Sequence, residues 1–87
     1  MEKVLEIKNT SGLHARPSGL LAKNASSYKS VITLTFNGKT TSAKSIMNVL
    51  SLGLKHQNQA TLKVSGEDEQ EAFNAIVELF ETGFGEM

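Results

Sequence analysis

The stretch Val31-Ile32-Thr33-Leu34-Thr35-Phe36-Asn37-Gly38-Lys39-Thr40-Thr41-Ser42-Ala43 decides how the chain folds. From Val31 to Phe36 apolar and polar residues alternate. Ile32, Leu34 and Phe36 therefore share one face of a strand, and Thr33 and Thr35 the other. Asn37-Gly38 is the dipeptide that best tolerates the positive φ angles of a two-residue hairpin turn, and Lys39 to Ala43 forms the returning arm. A hairpin with one apolar and one polar face needs cover on one side only.

The same two-faced pattern recurs on both sides of the hairpin. Val4 to Lys8 puts Leu5 and Ile7 on one face and Glu6 and Lys8 on the other, and Ala60 to Ser65 alternates in the same way. Three segments between and after these strands have a helical period instead. From Pro17 to about Ser27, Leu20, Leu21, Ala22 and Ala25 make an apolar stripe that Tyr28 continues. The spacing places Pro17 at the first helical position, where its fixed φ and missing N–H are favoured. Ile46 to Leu50 predicts a short helix with Ser45 as its N-cap, stopped at Leu52-Gly53-Leu54. Asp68 is placed to cap a last helix, with Glu71 three residues on in a capping-box position. Ala72, Phe73, Ile76, Val77 and Phe80 give that helix a wide apolar face running to about Thr82. The order is β-α-β-β-α-β-α. It predicts an α+β fold of two layers, an open-faced four-stranded sheet covered on one side by three helices, in a single domain over 1–87.

Composition narrows the function classes. At 87 residues the domain buries only about 60–65% of its unfolded surface. The formal net charge is zero, and Lys and Arg are scattered rather than clustered, which argues against nucleic acid. There is no cysteine, hence no disulfide or thiol chemistry. Met1-Glu2-Lys3-Val4 begins no signal peptide, and no segment has the length to cross a bilayer. These features lead to the expectation of a cytoplasmic protein.

The chemistry is concentrated in Ser11-Gly12-Leu13-His14-Ala15-Arg16-Pro17-Ser18. A helix that opens near Pro17 puts His14 at its mouth, where unpaired N–H groups and the positive dipole end attract an anion. Arg16 adds a planar fork of donors suited to phosphate. An imidazole is nucleophilic near neutral pH and can carry a phosphoryl group on a ring nitrogen. The loop reads as a histidine built to be phosphorylated and dephosphorylated. A second constellation is Ala43-Lys44-Ser45-Ile46-Met47-Asn48-Val49-Leu50. If Val49 faces the core, Ile46, Met47 and Leu50 cannot all be buried with it, and an exposed apolar patch there suits a protein partner. His56 stands in a polar loop without partners at a metal-ligand spacing and is read as a surface residue.

Taken together these residues resemble the histidine-containing phosphocarrier family of the bacterial phosphotransferase system, HPr, in its low-GC Gram-positive form. The resemblance rests on G-L-H-A-R-P at 12–17, N-G-K at 37–39 and K-S-I-M-N-V-L-S-L-G-L at 44–54. It implies an antiparallel sheet of strand order 1-4-2-3. It also implies that His14 is phosphorylated through Nδ1, that Arg16 contacts the phosphate and that Pro17 opens the helix. Ser45 matches a regulatory serine modified by an ATP-dependent kinase. Ile46, Met47 and Leu50 match the docking patch beside it, and Lys23 is counted in the same surface. The implied role is a relay in phosphoenolpyruvate-dependent sugar uptake, without independent turnover, cofactor or metal. It takes its phosphoryl group from enzyme I and passes it to sugar-specific IIA domains. A serine kinase/phosphatase, a catabolite-control transcription factor and a monomeric state are implied with it, and no contact with nucleic acid or membrane. Two positions depart from the family pattern. Gln57 stands where glycine is common. Ser18 stands where alanine is usual, placed either to reach the phosphoryl group or to help cap the helix.

Two rival readings keep the same fold. A purely regulatory binding module would act through Ser45 and the Ile46/Met47 patch, but relatives of that sort lack the active histidine. A nitrogen-linked paralogous carrier is disfavoured by the intact K-S-I-M segment.

Overall fold

The computed structural model describes residues 1–86. Its elements are β1 (Glu2–Glu6), α1 (Ala15–Ser26), β2 (Val31–Phe36), β3 (Lys39–Ser42), α2 (Ile46–Ser51), β4 (Gln59–Ser65) and α3 (Glu69–Glu81), then a 3-10 turn at Gly83–Gly85. The four strands form one antiparallel sheet of order β1-β4-β2-β3. Between β2 and β3, Asn37 and Gly38 take φ of 50° and 78°, the signs a type I′ turn requires.

Register decides which side chains enter the core. Ile32 pairs with Val64 and Leu34 with Leu62, and all four are buried. The neighbouring rows, Glu2–Lys63–Thr33–Ser42 and Val4–Thr61–Thr35–Thr40, lie on the opposite face, which is open and polar. On it the Thr35 and Thr40 hydroxyls meet at 2.7 Å. The helices supply Leu21, Ala25, Val49, Ala72, Ile76 and Phe80 to the covered face. Truncating one such Leu or Ile to Ala costs about 2–5 kcal/mol, a large share of the roughly 5–15 kcal/mol that stabilises a small domain.

Three local expectations need correction. β1 stops at Glu6, because Ile7 turns its backbone to the Gln57–Asn58 loop, donating to the Asn58 carbonyl at 2.9 Å and accepting from the Gln57 N–H at 2.8 Å. The first helix begins at Ala15, two residues before Pro17, with His14 as its N-cap. Proline is tolerated there because the N–H groups of the whole first turn lack intrahelical partners, and Ser18 is the first residue to donate back, to the His14 carbonyl at 3.0 Å. At the start of α3, Asp68 is the N-cap residue but its side chain makes no capping bond, and neither does Glu71 complete a capping box. The Asp68 carboxylate instead accepts from the Lys29 N–H and Ser30 N–H, each at 2.9 Å, and from the Ser30 hydroxyl at 2.6 Å. It ties the α1–β2 loop to α3.

The tail after α3 has no counterpart in the sequence reading. Gly83, Phe84 and Gly85 have φ of 60°, 57° and 76°, so the chain folds back on itself. Phe84 is driven into this conformation by burial, its ring edge-on to Phe80 at 5.0 Å. Such a pair contributes about 0.5–1.5 kcal/mol beyond burial. The result is to bring Glu86 back over the start of α1.

Candidate functional site

The loop before α1 is held by its backbone. Gly12 donates to the Asn9 carbonyl at 3.1 Å and Leu13 to the Leu54 carbonyl at 2.9 Å. Gly12 has φ of 71°, and a Cβ there would meet the Leu54 oxygen at 2.7 Å, so glycine is required both by conformation and by space. This packing fixes where His14 enters the helix. The ring does not cap α1 and is free to face outward, with its side chain 44% exposed. The N–H groups of Ala15 and Arg16 open the helix beside it without intrahelical partners.

Glu86 completes the site. Its carboxylate lies 3.1 Å (Oε2) and 3.4 Å (Oε1) from His14 Nε2, and 3.3 Å from Arg16 Nη1. It also accepts from Asn9 Nδ2 at 3.0 Å and the Ser11 hydroxyl at 3.3 Å. Loss of hydration pushes the Glu86 carboxyl up, but the Asn9 amide, the His14 ring and the Ser11 hydroxyl outweigh it. The group lies below its usual range and is ionised at neutral pH. An ionised carboxylate only accepts, so it favours the ring proton on Nε2 and the lone pair on Nδ1, which makes no hydrogen bond among the described residues. An anion thus already occupies the mouth of α1.

A family model described as "PTS HPr component phosphorylation site" matches residues 1–82. The chain belongs to the HPr family. HPr is the phosphocarrier of the bacterial phosphotransferase system, and the fold agrees. The crystal structure of HPr from Thermoanaerobacter tengcongensis superposes with a TM-score of 0.95 at 45% identity, covering 100% of this chain and 98% of that one. The phosphocarrier protein HPr of Mycoplasma genitalium is 45% identical over 71 residues, 80% of this chain and 81% of its own. Crh of Bacillus subtilis, a catabolite-repression protein described as a domain-swapped dimer, is 35% identical with a TM-score of 0.77, covering 91% of each chain.

The second constellation lies on the neighbouring surface of this HPr. Ser45 caps α2, its hydroxyl accepting from the Asn48 N–H at 3.3 Å. Val49 is buried, Leu50 half-buried, and Ile46 and Met47 are 46% and 75% exposed. These two residues border an open groove of about 390 Å³ between α1 and α2, lined also by Gly19, Lys23, Lys44 and Ser45. The Lys44 ammonium is turned away to the Tyr28 carbonyl at 2.8 Å, while Lys23 stands exposed in the last turn of α1.

Ser18 does not face His14. It is buried and its hydroxyl donates to the Leu13 carbonyl at 3.1 Å, so it fastens the loop to the underside of α1 and makes no side-chain hydrogen bond to His14 or Arg16. His56 is exposed in the α2–β4 loop, and no cluster of metal-ligating side chains occurs among the described residues. Gln57 has φ of 72° in a turn that Asn58 closes onto the Lys55 carbonyl at 3.0 Å. The turn keeps the conformation that suits glycine, and glutamine bears the strain. Sequence reasoning missed Glu86 and Asn9. The only local signal for Glu86 was an acidic residue after a Gly-Phe-Gly reversal.

Proposed function

We propose that His14 is the phosphoryl acceptor of this HPr, charged by enzyme I and discharged to sugar-specific IIA domains. The observation that carries it is the Glu86 carboxylate seated on His14 Nε2 and Arg16 at the mouth of α1. It supports an anion site that leaves Nδ1 as the free nucleophile. In the transfer, Nδ1 attacks phosphorus, the new N–P bond forms, and the bond to the donor breaks with its electron pair leaving on the donor. Arg16 and the N–H groups of Ala15 and Arg16 take the peripheral oxygens, so positioning and charge supply the catalysis. Arg16 exchanges one acid oxygen for another. The domain, residues 1–87, is a relay with no turnover of its own and works as a monomer in the cytoplasm. Among its described residues no helix is long and apolar enough to cross a membrane.

Docking falls to Ile46, Met47, Leu50 and Lys23 around the α1–α2 groove, and Ser45 is the site at which a serine kinase and its phosphatase adjust it. A catabolite-control transcription factor is the reader of that modification. A purely regulatory module is not favoured: His14 stands in an assembled site, and the likeness to HPr is closer than to Crh. Incubation with phosphoenolpyruvate and enzyme I tests the proposal. The protein should gain one phosphoryl group that acid removes, since an N–P bond hydrolyses once its nitrogen is protonated. A mass gain that survives acid would refute a phosphohistidine.

A further inference from the structure

We propose that Asn9 is a positioning residue for phosphoryl transfer, acting on His14 through Glu86; this rests on the phosphocarrier reading above. Asn9 is the most buried polar side chain in contact with the site's acid, at 1% exposure. Its amide nitrogen uses both hydrogens, one on the Gly12 carbonyl at 2.6 Å and one on Glu86 Oε1 at 3.0 Å. Its Oδ1 is buried without a partner. The opposite amide orientation would turn Oδ1 toward a carbonyl and a carboxylate, so the orientation follows from the two acceptors.

An orphaned buried acceptor is a standing cost. Bracing the loop alone would need one donor to the Gly12 carbonyl, which a hydroxyl could supply without an orphan. The second donor of the amide joins that carbonyl to Glu86, 77 positions further along the chain, which a hydroxyl with its single hydrogen could not do. With Oε1 held by Asn9, Oε2 is directed at His14 Nε2 and Arg16 Nη1. Without Asn9, Glu86 keeps only exposed contacts of 3.1–3.4 Å and its side chain regains rotamer freedom. The ring loses its orienting partner, while the α1–α2 groove is untouched.

Transfer from phosphorylated enzyme I is measured for the parent, Asn9→Ala, Asn9→Asp, Glu86→Ala and the double variant Asn9→Ala/Glu86→Ala, with thermal melts of each. With this protein as the substrate of enzyme I, Asn9→Ala should lower kcat about five- to tenfold and leave KM unchanged, the pattern of lost orientation. Glu86→Ala should do the same, and the double variant should be no slower than either single one, because both remove one pathway. Asn9→Asp, of equal size, should be at least as slow as Asn9→Ala, since it sets a carboxylate against two oxygens. The ¹⁵N shifts of the His14 ring in Asn9→Ala should move toward those of Glu86→Ala. If Asn9→Ala is unfolded at the assay temperature, Asn9→Asp and the ring shifts decide. Parental rates in Asn9→Asp, ring shifts that stay parental, or deficits that multiply in the double variant would overturn the inference. A parent that takes no phosphoryl group on His14 would instead overturn the carrier reading, and the ring shifts would still report whether Asn9 acts through Glu86.

Discussion

Glu86 Oε2 lies 3.1 Å from His14 Nε2, although the two residues are 72 positions apart. Only the left-handed reversal at Gly83–Gly85 and the burial of Phe84 make this approach. A carboxylate that holds one imidazole nitrogen orients the ring and fixes which nitrogen carries the proton. Glu86→Gln should therefore slow phosphoryl acceptance about tenfold, equivalent to about 1.4 kcal/mol in the transition state. Rapid-quench kinetics with phosphorylated enzyme I measure it. An unchanged rate would mean the contact is incidental.

The turn at Gln57 predicts a gain in stability from a single substitution. A side chain held at φ of 72° costs about 1–2 kcal/mol, and the extra unfolded-state freedom of glycine returns about 0.5–1 kcal/mol of that. Gln57→Gly should stabilise the protein by about 0.5–1 kcal/mol, raising Tm by a few degrees for a domain of this size. A lower Tm would show that the glutamine makes a contact worth more than the strain.

Much of this architecture is written locally. Alternation in Val31–Phe36, the Asn37-Gly38 turn and the Ser45 cap depend on neighbours within a few residues, and each is found as read. What escaped depends on residues far apart in the chain. Asp68 has the local signature of a cap, but Lys29 and Ser30 offer three donors where α3 offers one or two. Pro17 marks the first turn of a helix without marking its first residue. His14 and Arg16 could be read from the loop and the family resemblance together. Glu86 could not, because its partners are assembled only when Phe84 folds the tail back, and Asn9 shows locally only its bond to the Gly12 carbonyl.

The Asp68 clasp predicts an acid-dependent loss of stability. Donation from the Ser30 hydroxyl and the Lys29 N–H holds this carboxyl at about 2, against an ordinary 3.8. The folded-state value is depressed, so the stabilisation is full above about pH 4 and is lost as pH falls toward 2. Asp68→Asn should melt below the parent at neutral pH, and the gap should close as pH approaches 2. A gap that stays constant across this range would remove ionisation from the explanation.

Ser45→Asp separates folding from docking. Aspartate can accept the same Asn48 N–H bond and places a negative charge at the open end of α2, so stability should hold or rise by about 0.3–1 kcal/mol. The charge also borders Ile46 and Met47, and a partner with an apolar or acidic face is disfavoured there. Transfer from enzyme I should be slower at low enzyme I and recover as its concentration rises. A deficit that no concentration relieves would contradict a docking effect.

The central claim is that the phosphoryl group travels on His14. Intact mass after incubation with phosphoenolpyruvate and enzyme I, for the parent, His14→Ala and His56→Ala, tests it most directly. The parent and His56→Ala should each gain one acid-labile phosphoryl group, and His14→Ala should gain none while melting close to the parent. A phosphoryl group still acquired by His14→Ala, and lost in His56→Ala, would contradict the account.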